Sequence, residues 1–95
     1  MAKEIIWSRK AQSDLHDIYD YITIDSEIYA FNVVNRIIET VEKIPLFPFL
    51  GRMVPEFNIE SLRERFSGNY RIVYRINDSE NIEIVTIHHS SRSLK

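Results

Sequence analysis

The side chains with the clearest chemical capacity lie in the last third of this 95-residue sequence. Residues 61–95 carry six lysines and arginines against four acidic residues, whereas residues 8–44 carry four against seven. Guanidinium groups bind phosphates and carboxylates through paired hydrogen bonds, and an imidazole exchanges a proton near neutral pH. We therefore expect the C-terminal third to contact an anion. The candidate side chains there are Arg63, Arg65, Arg71, Arg92, His88 and His89.

The arginines alternate with apolar residues in two predicted strands. Successive side chains of a strand point to opposite faces, so Tyr70, Ile72, Tyr74 and Ile76 share one face. The pattern predicts a sheet with one apolar face and one face that collects the arginines, with Arg63 and Arg65 beside Arg71. His88 and His89 are adjacent, so at most one can join the arginines, and the alternation does not choose between them.

The elements that would position these side chains follow from the spacing of apolar residues. The run Lys3–Trp7 has the length and composition of a strand. Ser8 is a capping residue, and apolar residues spaced by three and four predict a helix from about Arg9 to Ile24. The short link Asp25-Ser26 leads to a second amphipathic helix, which should end before Pro45 because proline cannot continue it.

The rest of the chain is predicted to form a packed, irregular connection followed by strands. The sequence PLFPFL at 45–50 is apolar but twice interrupted by proline, which predicts an irregular connection. Strands are then predicted at Ser61–Phe66, Asn69–Ile76 and Asn81–His88. The order predicts an α+β fold in which residues 1–95 form one domain: an N-terminal strand and an antiparallel two-helix hairpin packed on a C-terminal antiparallel β-meander.

The composition excludes several classes of protein. Cysteine is absent, which removes a disulfide framework and a thiolate metal site. The net charge of −2 differs from the strongly positive charge expected of a protein that binds nucleic acid without a partner. No apolar run approaches the roughly 20 residues of a membrane helix, and the N-terminus lacks the apolar stretch of a signal peptide. We expect a cytoplasmic protein.

Several segments together resemble the core of the RelE/ParE superfamily of toxins from type II toxin-antitoxin systems. They are Gly51–Glu56, Leu62-Arg63-Glu64, Gly68–Ile76 and Ile84–Arg92. Trp7-Ser8, Ala11 and Asp14-Leu15 resemble the first helix of the same family. The resemblance covers nearly the whole chain, with the segments in the family's order and spacing. The residues of these segments are more similar to the ParE-like branch than to the RelE-like branch. The resemblance therefore implies a RelE/ParE-like fold.

This resemblance implies a toxin that arrests growth until a cognate antitoxin neutralises it. ParE-like members inhibit DNA gyrase, whereas RelE-like members cleave messenger RNA in the ribosome. We expect the first activity and keep a metal-independent, ribosome-dependent endoribonuclease as the alternative, because one fold can host both. Neither activity implies a cofactor or a bound metal.

Under the alternative, the resemblance gives roles to several residues. Glu56 would be the base, Arg71 would bind the phosphate, and His88 or His89 would be the acid. Arg92 matches a C-terminal arginine of both branches, which could contact phosphate or a protein target. Each of these side chains could equally be a surface charge or part of a structural ion pair. The lysine-rich segment and C-terminal tyrosine typical of RNA-cleaving members are missing, which favours binding over catalysis.

The aromatic residues of the second half are expected to pack in the core or at its rim. They are Phe47, Phe49, Phe57, Tyr70 and Tyr74. If the phenylalanines were exposed instead, they would form a docking patch for the antitoxin, because exposed apolar patches mark partner surfaces.

Overall fold

A hairpin of two helices packs against one face of a five-stranded sheet, which confirms the predicted α+β architecture. The computed structural model describes residues 4–91. The elements in chain order are β1 (Ile5–Trp7), α1 (Arg9–Thr23), α2 (Glu27–Lys43), β2 (Arg52–Met53), β3 (Leu62–Ser67), β4 (Tyr70–Ile76) and β5 (Ile82–His89).

Both helices begin where the sequence supplies a capping hydroxyl. Ser8 accepts a hydrogen bond from the backbone N–H of Ala11 at 3.0 Å, and Ser26 accepts one from Tyr29 at 3.1 Å. Each bond satisfies an N–H that the first turn of a helix leaves without a partner. The Ser8 hydroxyl also donates to the carbonyl of Val85 at 2.9 Å, which fixes the start of α1 to β5. Among residues 4–91, no helix is long and apolar enough to cross a lipid bilayer.

The sheet has the order β1-β5-β4-β3-β2, with β1 parallel to β5 and the other neighbours antiparallel. The main core lies between the sheet and the helices. Its fully buried members include Ala11, Ala30, Ile37, Ile72, Tyr74, Ile82 and Ile84. A second, small apolar cluster of Val54, Leu62 and Val73 lies on the other face, because Val73 alternates with Ile72 and Tyr74 along β4.

A β-bulge in β5 determines which face of the sheet His88 and His89 each lie on. Val73 pairs with Thr86 and Tyr74 pairs with Ile84, so β5 has one extra residue between these pairs. Beyond the bulge, His88 is the cross-strand partner of Arg71, and His89 is the partner of Tyr70. His88 therefore shares a face with Arg71, and His89 lies on the helix side.

The prediction that Arg63 and Arg65 share a face with Arg71 is wrong. Arg63 pairs with Tyr74 and Arg65 with Ile72, and cross-strand partners project to the same side, which here is the helix side. Alternation along each strand was predicted correctly, but only the register between β3 and β4 shows which set faces the helices.

The two arginines hold the apolar connection that follows α2. This connection forms two 3-10 turns, Ile44–Leu46 and Pro48–Leu50. Arg65 donates to the carbonyl of Phe47 at 2.6 Å, and Arg63 donates to that of Gly51 at 3.1 Å. The hydroxyl of Tyr74 donates to the carbonyl of Pro48 at 2.6 Å. These side chains supply hydrogen-bond donors to carbonyls of the connection, of which that of Phe47 also accepts from the Leu50 N–H at 3.0 Å.

Gly51 lies where the connection packs tightly against the sheet. A Cβ at this position would lie 2.6 Å from the carbonyl oxygen of Glu64 and would also overlap the Tyr74 hydroxyl. We predict that Gly51→Ala lowers the free energy of unfolding by about 2 kcal/mol, as overpacking does, in a urea titration. Gly68→Asn is the control, because Gly68 has φ +57 and open space around it, a conformation that asparagine tolerates. Equal stability of Gly51→Ala and wild type would contradict the prediction.

Candidate functional site

Four charged side chains form a continuous network on the sheet face away from the helices. Glu64 accepts hydrogen bonds from Arg52 and from Nε of Arg71, the latter at 2.6 Å. Arg71 also donates from Nη1 and Nη2 to the two carboxylate oxygens of Glu56, at 2.8 and 2.7 Å. We call Arg52, Glu56, Glu64 and Arg71 the charge network. Its two positive and two negative charges balance.

The centre of the network is almost sealed from water. Glu64 is 1% exposed and Arg71 is 5% exposed. Hydrogen bonds from Arg71 to Glu56 raise the pKa of Arg71 above its ordinary value; burial opposes this shift, and Glu64 adds to it. A buried charge is costly unless it is paired, and each side chain of the network is paired with the next.

The strands and one turn bring the four residues together. Arg52 is paired with Glu64 across β2 and β3, and the register of β3 with β4 sets Glu64 and Arg71 on the same face. Glu56 follows β2 in a turn that the carbonyl of Val54 closes, accepting from the N–H groups of Phe57 at 3.1 Å and Asn58 at 2.8 Å. The buried Val54 side chain anchors this turn to the sheet.

Of the predicted site residues, the structure brings three to one face. These are Glu56, Arg71 and His88. His89 lies on the other side, where its ring meets that of Tyr70 edge to face at 5.8 Å. Arg63 and Arg65 contact backbone carbonyls of the connection. Arg92 lies outside the residues that the structure describes.

Two members of the network, Glu64 and Arg52, were not among the predicted site residues. Glu64 could have been found, because it alternates with Leu62 and Phe66 and is therefore a carboxylate in the middle of an apolar strand face. Arg52 gives no comparable signal, because β2 has two residues, too few to show a period.

The arrangement limits what Glu56 and Arg71 can do chemically. A general base needs an oxygen directed at the proton it removes, and a phosphate-binding arginine needs donors directed at the phosphate. Here both oxygens of Glu56 accept hydrogen bonds from Arg71, and a second carboxylate occupies Nε of Arg71. In residues 4–91, no group of three or more His, Asp or Glu side chains could hold a metal ion.

A cleft of about 670 Å³ opens between α1 and the ends of β4 and β5. We call it the helix-strand cleft. Its lining includes Lys10, Asp14, Asp17, Tyr21, Tyr70 and His89.

Asp14 fixes α1 to the last strand at the floor of this cleft. Its Oδ2 accepts from the Thr86 hydroxyl at 2.6 Å and from the Ile87 N–H at 3.0 Å. Lys10 forms an ion pair with its other oxygen at 2.9 Å. Burial raises the pKa of Asp14, but the hydrogen bonds from Thr86, Lys10 and Ile87 together outweigh it, so the pKa lies below its ordinary value.

Most of the exposed large apolar side chains fall into two groups, which differs from the expected core packing of the phenylalanines; Ile6 of β1 is exposed apart from both. The first, the edge patch, comprises Leu46, Phe47, Phe49, Leu50, Met53, Phe57, Ile59 and Phe66. The second, the hairpin patch, comprises Tyr21, Ile24, Ile28, Tyr29 and Phe31. Tyr74 is buried in the core as expected, and Tyr70 packs at its rim.

Comparisons with known proteins agree with this fold. A family model described as the ParE toxin of the type II toxin-antitoxin system parDE matches residues 5–94. The chain is similar to a chain in the structure of the chromosomal ParDE system from P. aeruginosa, with a TM-score of 0.75, 24% identity, and 93% of this chain and 96% of that one covered.

Two further solved structures share the fold. The RelBE2 toxin-antitoxin complex from Mycobacterium tuberculosis gives a TM-score of 0.64 at 18% identity, covering 97% of this chain and 95% of that one. The YoeB dimer from Staphylococcus aureus gives a TM-score of 0.62 at 20% identity, covering 94% of this chain and 98% of that one. No curated protein sequence matches the chain at a significant level.

The charge network should contribute measurably to stability. We predict that Glu64→Gln lowers the free energy of unfolding by about 3 kcal/mol, because it leaves two guanidinium groups without their shared buried carboxylate. The control is Glu83→Gln, which removes an exposed ion pair with Arg75 at 3.1 Å and should cost about 0.5 kcal/mol or less. Urea titrations of both variants measure the difference, and equal costs would contradict the prediction.

Asp14 should make stability depend on pH in the acid range. Its pKa is below the ordinary value of 3.8 in the folded state, so its contribution is complete above that value and is lost as the pH falls through the folded pKa. We predict that Asp14→Asn is about 1–2 kcal/mol less stable than wild type at neutral pH. This gap should shrink below pH 4 in urea titrations. Asp17→Asn is the control, and a gap that stays constant with pH would contradict the prediction.

Proposed function

The chain belongs to the ParE toxin family of type II toxin-antitoxin systems, and from this membership we propose that it arrests growth by inhibiting DNA gyrase. We further propose that it acts in the cytoplasm by binding its target, without chemistry of its own, and that a cognate antitoxin neutralises it. The solved relatives in ParDE and RelBE2 assemblies support an antitoxin as partner.

The hydrogen bonding and burial of Arg71 are the observation that carries this proposal. A nuclease of this family would use Glu56 and Arg71 on RNA, but here the two side chains share two hydrogen bonds, and Glu64 engages Arg71 from the other side. An RNA phosphate would have to replace two carboxylates on an arginine that is 5% exposed. This favours a protein that acts by binding.

The two exposed apolar patches support a protein with two binding partners. The edge patch contains the three phenylalanines whose exposure would mark an antitoxin surface: Phe47 is 67% exposed, Phe49 49% and Phe57 46%. We assign the edge patch to the antitoxin. We assign the hairpin patch to the target, because Ile24 and Ile28, at 80% and 77% exposure, project from the turn between the helices.

One observation favours the alternative, a ribosome-dependent endoribonuclease. The β5 bulge sets His88 opposite Arg71, so the three residues that would serve as base, phosphate ligand and acid, Glu56, Arg71 and His88, share one face. Glu56→Gln separates the two functions, since it removes the base and keeps a side chain that can accept from Arg71. The alternative requires this variant to lose cleavage of messages on programmed ribosomes; the gyrase proposal requires it to keep inhibiting supercoiling.

Purified protein should abolish the supercoiling activity of purified gyrase near stoichiometric amounts. We predict that Ile24→Ser combined with Ile28→Ser weakens this inhibition by about ten-fold, as loss of central interface residues does. The matched control is Leu46→Ser combined with Leu50→Ser, on residues of the edge patch that are 70% and 73% exposed. This control should inhibit gyrase normally and bind the antitoxin less tightly.

Two outcomes would contradict the proposal. Unaffected supercoiling at excess toxin would exclude gyrase as the target. Growth arrest accompanied by message cleavage, and lost in Glu56→Gln, would establish the nuclease instead. A small open reading frame for a DNA-binding protein beside the gene would identify the antitoxin for the binding assay.

A further inference from the structure

The helix-strand cleft contains none of the four residues of the charge network and lies partly outside the two apolar patches. It differs from both patches in combining aromatic rings with carboxylates. Five of its lining residues come from one side of α1, and the others come from the ends of β4 and β5 and from Ser91. The cleft is therefore built by the packing of α1 on the sheet.

The aromatic wall of the cleft is fixed in place. Tyr70 and His89 are cross-strand partners, and their rings meet edge to face at 5.8 Å and 77°. Tyr21 stands at the rim and is 75% exposed. Burial raises the pKa of Tyr70, and the nearby phenols of Tyr29 and Tyr21 raise it further, so the ring stays neutral. The face of a neutral aromatic ring attracts cations.

Among the charged side chains that line the cleft, one carboxylate is not balanced by a cation. Lys10 balances Asp14 through their ion pair at 2.9 Å. Asp17 lies one turn further along α1, is exposed, and makes no hydrogen bond or ion pair with residues 4–91. The formal charges of Lys10, Asp14 and Asp17 in the lining sum to −1. An anion would be repelled from this cleft and a cation attracted.

We propose that the helix-strand cleft binds an arginine side chain presented by a protein partner, with Asp17 pairing with the guanidinium and the tyrosines stacking on it. A guanidinium is planar, stacks on aromatic rings and pairs with a carboxylate through two parallel hydrogen bonds, whereas an ammonium group does not stack. The volume of about 670 Å³ exceeds that of one side chain, so the residues on either side of the arginine also fit.

Titration of the ¹⁵N-labelled full chain with a blocked Ala-Arg-Ala peptide tests the proposal by amide chemical shifts. We expect shifts at Asp17, Tyr21, Tyr70 and Ser91. Asp17→Asn and Tyr21→Ala should each weaken binding by about three-fold, as expected for loss of an exposed ion pair or a cation-π contact. Both residues are exposed, so neither substitution removes a core contact.

Two controls are matched to these variants. Asp20→Asn removes an aspartate of the same helix that pairs with His16 outside the cleft, and it should bind like wild type. A blocked peptide with citrulline in place of arginine has nearly the same shape without the charge, and it should cause no shifts. Equal shifts with the citrulline peptide, or equal affinity of Asp17→Asn and wild type, would overturn the proposal.

Discussion

Glu64 is a carboxylate almost fully withdrawn from water, and Arg52 and Arg71 pair with it from either side. Arg71 is itself buried and needs a second carboxylate, which Glu56 provides from the turn after β2. These alternating charges join β2, β3, β4 and that turn. The helix side of the sheet is closed by apolar packing, whereas the opposite side depends on this balance of charge beside the small cluster around Val54.

The same balance bears on function. The RelE/ParE-like scaffold supports both gyrase inhibitors and ribosome-dependent nucleases, so the fold alone does not separate them. In this chain the guanidinium of Arg71, the predicted phosphate ligand, donates hydrogen bonds to the carboxylates of Glu56 and Glu64. Large apolar side chains are exposed elsewhere on the surface. This distribution underlies the proposal that the chain acts by binding a protein target.

Local features of the sequence predicted much of the fold. Ser8 and Ser26 cap the helices, and the second helix ends before Pro45. The predicted strands differ from the observed ones by one or two residues. The side of the sheet on which Arg63 and Arg65 lie was not predictable, because it depends on the register between strands. The direction of His88 depends on a bulge that alternation does not reveal. Glu64 carried a usable signal, a carboxylate on an apolar strand face, whereas its partner Arg52 lies in a strand too short to recognise.

The outermost strands of the sheet are very short: β1 has three residues and β2 has two. A free strand edge displays backbone N–H and C=O groups that can pair with another sheet, and long edges promote aggregation. Among residues 4–91, β1 pairs only with Ile82–Ile84 of β5 and β2 pairs only with Arg63 and Glu64 of β3, so the rest of each of these longer strands has no strand on its outer side. Part of the β5 edge that β1 leaves open is occupied by α1, because Asp14 accepts a hydrogen bond from the Ile87 N–H at 3.0 Å. This carboxylate therefore engages a backbone group that could otherwise pair with a strand of another molecule.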